Sequence, residues 1–174
     1  LNTYMNASTA NDHTSYYFSS QNKKDYFNLM QVYCDAVFFP LLHPLDFAQE
    51  GHRQALNDGG QLEYRGVVYN EMKGAMSSVS SQLWEGLSKH LYTSSTYKYN
   101  SGGSPENIID LTHDYLVDFH KKHYHPSNAT FFTFGKVNPE EIQTFIDENV
   151  LKNFEPSEKV IRVKNEDRFS SPKT

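Results

Sequence analysis

The sequence predicts an α+β fold, an antiparallel-leaning sheet with helices packed on one face. Three observations predict the α+β class. Two short runs rich in Tyr, Thr and Phe open the chain before any helical pattern begins. Several later segments carry apolar residues at helical spacing. Strands and helices do not alternate in a strict βαβ rhythm, which argues against a parallel sheet. At 174 residues the chain is long enough to bury roughly two-thirds of its unfolded surface. Hydrophobic residues make up only 37%, but 12 Tyr, 12 Phe and one Trp supply bulky core material.

The elements follow in order. Thr3–Thr9 and Thr14–Ser20 are expected strands, joined at Asn11-Asp12-His13 as a hairpin. Ser20 is the expected N-cap of a helix that Lys23, Lys24 and Asp25 open and Pro40 ends. Pro44, suited to a first helical turn, starts a second helix over Leu45–Leu56, and Asn57-Asp58-Gly59-Gly60 is a loop. Gly66–Tyr92 is the longest helical candidate, with Val68, Met72, Ala75-Met76, Val79, Leu83 and Leu87 on one stripe. The serines at 77, 78, 80 and 81 weaken the helical pattern and leave open one helix or two. Thr93–Ser104 is loop, Leu111–Lys122 helix, His125–Asn128 turn and Ala129–Phe134 a strand closed by Gly135. Pro139–Phe154 is the last helix, with Ile142, Phe145, Ile146 and Val150 on one face. Glu155–Thr174 is charged and carries two prolines. Residues 1–154 are therefore expected to form a partial domain, and 155–174 a linker or extended arm. The opening on Leu1, with strand-like residues and no initiator Met, suggests a piece of a longer protein.

Composition excludes several classes. A net charge of −5 is the wrong electrostatic footprint for nucleic acid. The one cysteine, Cys34, cannot build a disulfide framework and fits a small buried hydrophobe better than a nucleophile. No apolar run is long enough for a membrane span, and nothing at the start resembles a targeting peptide. Ser101-Gly102-Gly103-Ser104 lacks the Gly-Lys-Ser/Thr ending of a phosphate loop, and no Gly-x-Ser-x-Gly elbow occurs.

Three places carry possible chemistry. His113, His120, His123 and His125 crowd one helix and its end, and taken as ligands they suggest zinc. The cluster has no Cys and no His-Glu-x-x-His pair and runs into a turn, so a solvated basic helix end is the expectation. Glu71 sits in an otherwise apolar helical stretch with Gly74 and Ala75 one turn on. A glycine inside a helix suggests close approach of another group. A carboxylate on such a face is either paired, with Lys73, Arg65 or another segment, or coordinates a cation. Asn6-Ala7-Ser8 lies on the first strand and has the small, polar-flanked character of an edge that accepts a peptide, or of an ordinary strand end.

Several blocks resemble a known family. They are Leu1–Ala7, Tyr16–Asn22, Val32–Pro40, Gln49-Glu50-Gly51, Gly66–Ala75, Tyr99–Gly103 and Phe119–Ala129. Together, in this order and over residues 1 to about 136, they resemble the presequence-protease and falcilysin branch of the insulinase-like (pitrilysin) zinc metallopeptidases. The segment His52–Leu56 departs from that pattern, which has an aromatic residue there.

The resemblance implies an incomplete domain of the inverted-zincin type, part of a zinc endopeptidase that degrades short unstructured peptides. Its inverted His-x-x-Glu-His helix provides two ligands and the base, and a later helix provides a third ligand. Glu71 falls on the third-ligand position, and Asn6, Ala7 and Ser8 on the edge strand that holds substrate. No His in this sequence is followed by Glu three residues on and His four on. The catalytic base is therefore expected upstream of Leu1, and this segment alone is expected to be inactive. The remaining domains of the same polypeptide are its expected partners, beside peptide substrates. The resemblance suggests a soluble protein in an intracellular or organellar, mitochondrial-like setting, and the sequence does not fix the compartment. A second reading is a non-catalytic scaffold relative of the same fold; a third is a metal module built on the histidines.

Overall fold

The computed structural model describes residues 4–158 and 161–172. Thr3 of the first expected strand, and residues 159–160 and 173–174 of the expected arm, lie outside the described residues. The order is β1 (Tyr4–Thr9), β2 (Thr14–Ser19), α1 (Lys23–Phe38), α2 (Pro44–Glu50), β3 (Arg53–Leu56), β4 (Leu62–Arg65), α3 (Val67–Ala75), α4 (Val79–Leu91), α5 (Pro105–Ile108), α6 (His113–His123) and α7 (Pro139–Asn149). The α+β class holds. The expected sheet consists, among the described residues, of two two-stranded pairs, β1 with β2 and β3 with β4.

The chain divides into two compact units. One comprises Leu1–Ser8, Thr14–Leu41 and Leu116–Ile161; the other comprises Thr9–His13, Leu42–Tyr115 and Arg162–Thr174. The first unit is built on α1 and α7. Met30, Cys34 and Phe38 recur every four residues on α1, and Ile142, Ile146 and Val150 do so along α7 and its end. That spacing lines one face of each helix, and the two stripes form the buried cluster. Phe18, Phe27, Phe145 and Phe154 pack around it. Burial pushes the Cys34 thiol up to about 11, with the charge of Asp35 adding to the effect, so the thiol stays neutral and inert. Ile146 is 8% exposed. Ile146→Ala is expected to lower unfolding free energy by about 2–5 kcal/mol, and Val32→Ala, on the exposed side of α1, by less than about 0.5 kcal/mol. Denaturant midpoints of the two variants test the contrast.

Local chemistry sets the ends of these helices. The cap of α1 is Asn22, not Ser20: the Asn22 side chain accepts the Asp25 N–H at 3.1 Å. Ser20 instead donates to the Asp25 carboxylate at 2.6 Å, which braces the same turn. At α7, Asn138 accepts the Glu140 N–H behind Pro139, and Glu140 and Glu141 face the positive helix end.

Ala129–Phe134, expected as a strand, carries no ladder among the described residues. Phe131 stacks on Phe38 with centroids 5.8 Å apart, while Phe132 and Phe134 are 86% and 92% exposed. The residue types suit a strand, but a strand requires a hydrogen-bonded neighbour, and each described strand pairs within its own hairpin.

In the second unit the expected helix over Leu45–Leu56 stops at Glu50, and Arg53–Leu56 turns into β3. It pairs antiparallel with β4, Gln54 opposite Tyr64 and Leu56 opposite Leu62. The turn is set by Asn57, whose side-chain oxygen accepts the N–H groups of Gly59 and Gln61 at 3.0 Å each, with Gly60 at φ +75°. Cross-strand pairing thus overrides the helical pattern of a four-residue segment. The long candidate over Gly66–Tyr92 breaks into α3 and α4 between Ala75 and Val79, at the serines. Its apolar stripe does not become core among the described residues: Val79, Leu83 and Leu87 are exposed.

Candidate functional site

Glu71 lies in the middle of α3. The helix is aimed by a close approach at its start. A Cβ on Gly66 would stand 2.1 Å from the Gly51 carbonyl oxygen and 2.8 Å from the His52 Cα, so only glycine lets the chain leave β4 past α2. A second approach lies beneath the residue after Glu71. A Cβ on Gly102 would stand within van der Waals overlap of the Met72 sulfur, and Gly103, at φ +89°, seats against Ile108. Asn100 ties this loop by accepting the Gly102 N–H at 2.9 Å. Gly74, by contrast, has nothing near its missing Cβ among the described residues, so the close approach expected there is not seen.

The Glu71 side chain is exposed. Both partners proposed for it are engaged elsewhere. Arg65 Nε pairs with Glu63 at 2.6 Å, and that hydrogen bond holds the Glu63 carboxyl below its ordinary value. Lys73 Nζ stands 5.9 Å from the centre of the Tyr69 ring. Among the described residues Glu71 makes no ion pair or side-chain hydrogen bond. Its carboxylate is available to a group outside this chain.

Asn6, Ala7 and Ser8 lie on β1, exposed along its whole length. The Tyr33 hydroxyl, on α1, is shared between the carbonyls of Asn6 (3.2 Å) and Tyr17 (3.1 Å), which ties the hairpin to that helix. The Asn6 side-chain oxygen accepts the Ala7 N–H at 2.8 Å. That N–H becomes available to an added strand only when Asn6 turns away.

The histidines have structural partners. His113 Nε2 donates to the Leu42 carbonyl at 2.6 Å, and His120 Nε2 donates to the Val37 carbonyl at 2.8 Å. A carbonyl only accepts, so both rings carry their proton on Nε2. His120 also stacks on Tyr124, and His123 on Phe119. His125 Nδ1 accepts the Ser127 N–H at 3.1 Å and caps the turn that follows. The solvated helix end is thus a set of half-buried ties, and sequence spacing carried no sign of the distant carbonyls. Among the described residues no group of three or more His, Cys, Asp or Glu side chains is placed to hold a metal ion. One carboxylate is not a zinc site, so Glu71 fits zinc only as one ligand of a set completed from outside the chain.

One feature escaped sequence analysis altogether. Glu166, in the charged arm, is gripped by the loop after α4. Its carboxylate accepts the backbone N–H groups of Thr93 (2.7 Å), Ser94 (3.1 Å) and Ser95 (2.8 Å), and the Thr93 hydroxyl (2.8 Å). Partial desolvation pushes the group up, but these hydrogen bonds outweigh it and hold the carboxyl at about 2. Stability owed to Glu166 is therefore complete above its ordinary value of 4.5 and is lost as pH falls toward about 2. Denaturant midpoints of the unmutated protein and Glu166→Gln should converge across that interval and stay parallel above it.

A family model described as Peptidase M16 inactive domain matches residues 110–174. Over 99% of its length the chain is 46% identical to Protein HypA of Clostridium perfringens, covering 18% of that protein. Over the same share it is 45% identical to a mitochondrial presequence protease of Xenopus tropicalis and 43% identical to that of Mus musculus, covering 17% of each. The chain spans less than a fifth of the length of these curated relatives. It belongs to the insulinase-like (M16) peptidase family. Within that family its likeness is to the presequence proteases, as the blocks from Leu1 to Ala129 implied.

Proposed function

We propose that this chain is a segment of a zinc metalloendopeptidase that degrades short unstructured peptides. Glu71 provides one zinc ligand, and Asn6, Ala7 and Ser8 provide part of the substrate edge. The observation that carries this reading is the exposed Glu71 carboxylate, without an ion pair or side-chain hydrogen bond among the described residues, on a helix whose start is set by an obligatory glycine. Bound zinc polarises a scissile carbonyl and lowers the pKa of a water. The chain's own residues do the orienting: α3 carries the carboxylate, and β1 offers backbone groups to an extended peptide. The other ligands and the base come from the rest of the parent polypeptide, so the isolated chain is inactive. The name of the mitochondrial relatives suggests an organellar setting for the parent.

The test is a peptidase assay of the parent polypeptide on an unstructured peptide, before and after a chelator. Hydrolysis that chelation abolishes and zinc restores is the expected result; hydrolysis indifferent to chelation overturns it. The description of the matched family as an inactive domain favours a second reading, a non-catalytic scaffold relative. It predicts neither hydrolysis nor zinc in the same assay.

A further inference from the structure

We propose that Glu166 is a positioning residue for the peptide-binding strand, strapping the charged arm through the 93–99 loop to the tip of the β1–β2 hairpin. This rests on the assignment of Asn6, Ala7 and Ser8 as the substrate edge.

The strap is a continuous set of contacts. Three successive backbone N–H groups, Thr93 to Ser95, converge on one carboxylate that lies more than 70 residues away in sequence. Such a nest favours an anion, and hydrogen bonds to a charged acceptor are the stronger kind. Ser95 is buried, and its hydroxyl accepts the Tyr97 N–H at 3.3 Å, starting the turn over residues 96–98. That turn holds the hairpin tip by three bonds. The Thr96 hydroxyl donates to the Asn11 carbonyl at 3.0 Å, the Asn11 amide donates to the Tyr99 carbonyl, and the Tyr97 hydroxyl donates to Asp12. The tip is closed by Ala10 N–H on the His13 carbonyl at 2.8 Å, and the chain passes from it directly into Thr9 and Ser8 of β1. Without the carboxylate, the three N–H groups lose their common acceptor and the loop regains backbone freedom. The tip is then anchored to a mobile partner.

The experiment uses the parent polypeptide with Glu166→Ala and with Glu166→Gln, which keeps the size and removes the charge. Hydrogen exchange of proteolytic fragments is read together with the affinity of a fluorescently labelled unstructured peptide for zinc-stripped protein. In both variants exchange is expected to speed by about tenfold or more in residues 93–95 and 10–13, and to stay unchanged in the β3–β4 hairpin. Peptide affinity should weaken by about fivefold, with kcat of the zinc-loaded protein within about twofold of normal. Faster exchange confined to 93–95, or unaltered affinity with both segments loosened, overturns the proposal. The affinity readout needs no catalysis, so absence of hydrolysis defeats the peptidase reading while this one is still judged. Absence of peptide binding by the unmutated protein defeats the substrate-edge assignment and the strap's role with it.

Discussion

Glu71→Gln is expected to strip zinc and peptidase activity from the parent polypeptide while leaving its fold intact. Gln has nearly the volume of Glu and loses the anionic oxygens that a zinc ligand needs. Changing a partner outside the metal shell already costs up to about 100-fold in affinity or activity, so loss of a direct ligand should cost at least about 100-fold. The fold should not notice. Glu71 is exposed and has no described intrachain ion pair or side-chain hydrogen bond, so unfolding free energy should move by less than about 0.5 kcal/mol. The measurement pairs zinc stoichiometry with hydrolysis of an unstructured peptide and a denaturant melt. Retention of both zinc and activity would remove Glu71 from the metal site. An unchanged zinc content with lost activity would make it a substrate contact instead.

Gly66→Ala is expected to have the opposite signature, with the fold failing first. The added methyl meets the Gly51 carbonyl oxygen, its carbon and the His52 Cα, all backbone atoms that no rotamer change can move aside. Overpacking against yielding side chains costs about 1–3 kcal/mol, and an obstacle of backbone should reach or pass the top of that range. The strain falls on the junction that aims α3, so zinc and activity should fall together with stability. A lowered urea midpoint with an unchanged slope checks this. Gly74→Ala is the control on the same helix. Nothing described lies near its Cβ, so within this chain it should be neutral or stabilise by up to about 1 kcal/mol. Loss of activity in Gly74→Ala with stability preserved would show that another part of the parent polypeptide approaches that face.

The core of the first unit was legible from residue spacing. Ile142, Ile146 and Val150 recur at four-residue intervals and are buried, and Cys34 was correctly read as an apolar filler. The break within 66–92 was signalled by its serines without being settled by them, and the loop at 57–60 was legible from its turn chemistry. The end of α2 was not, because a short segment with mixed pattern is decided by its cross-strand neighbours at 62–65. Glu71 stood out as a carboxylate in an apolar stretch, yet its residue neighbours favoured pairing over metal binding, and only the family resemblance turned the reading toward metal. The structure shows Arg65 and Lys73 occupied elsewhere.

By itself the sequence determined the α+β class, the apolar face of α7, the family and the candidacy of Glu71. These depend on local period and residue type, and both are written along the chain. Tertiary structure alone decided that histidines seven residues apart bond to the carbonyls of Leu42 and Val37. It alone decided that Gly66 and Gly102, not Gly74, mark the close approaches, and that Glu166 in a charged tail finds three N–H groups in the loop after α4. Each of these brings together groups distant in sequence, and all but the approach of Gly102 to the Met72 side chain do so on backbone atoms of the partner. Every residue carries the same backbone amide and carbonyl, so nothing in the residue types at those positions announces the partner.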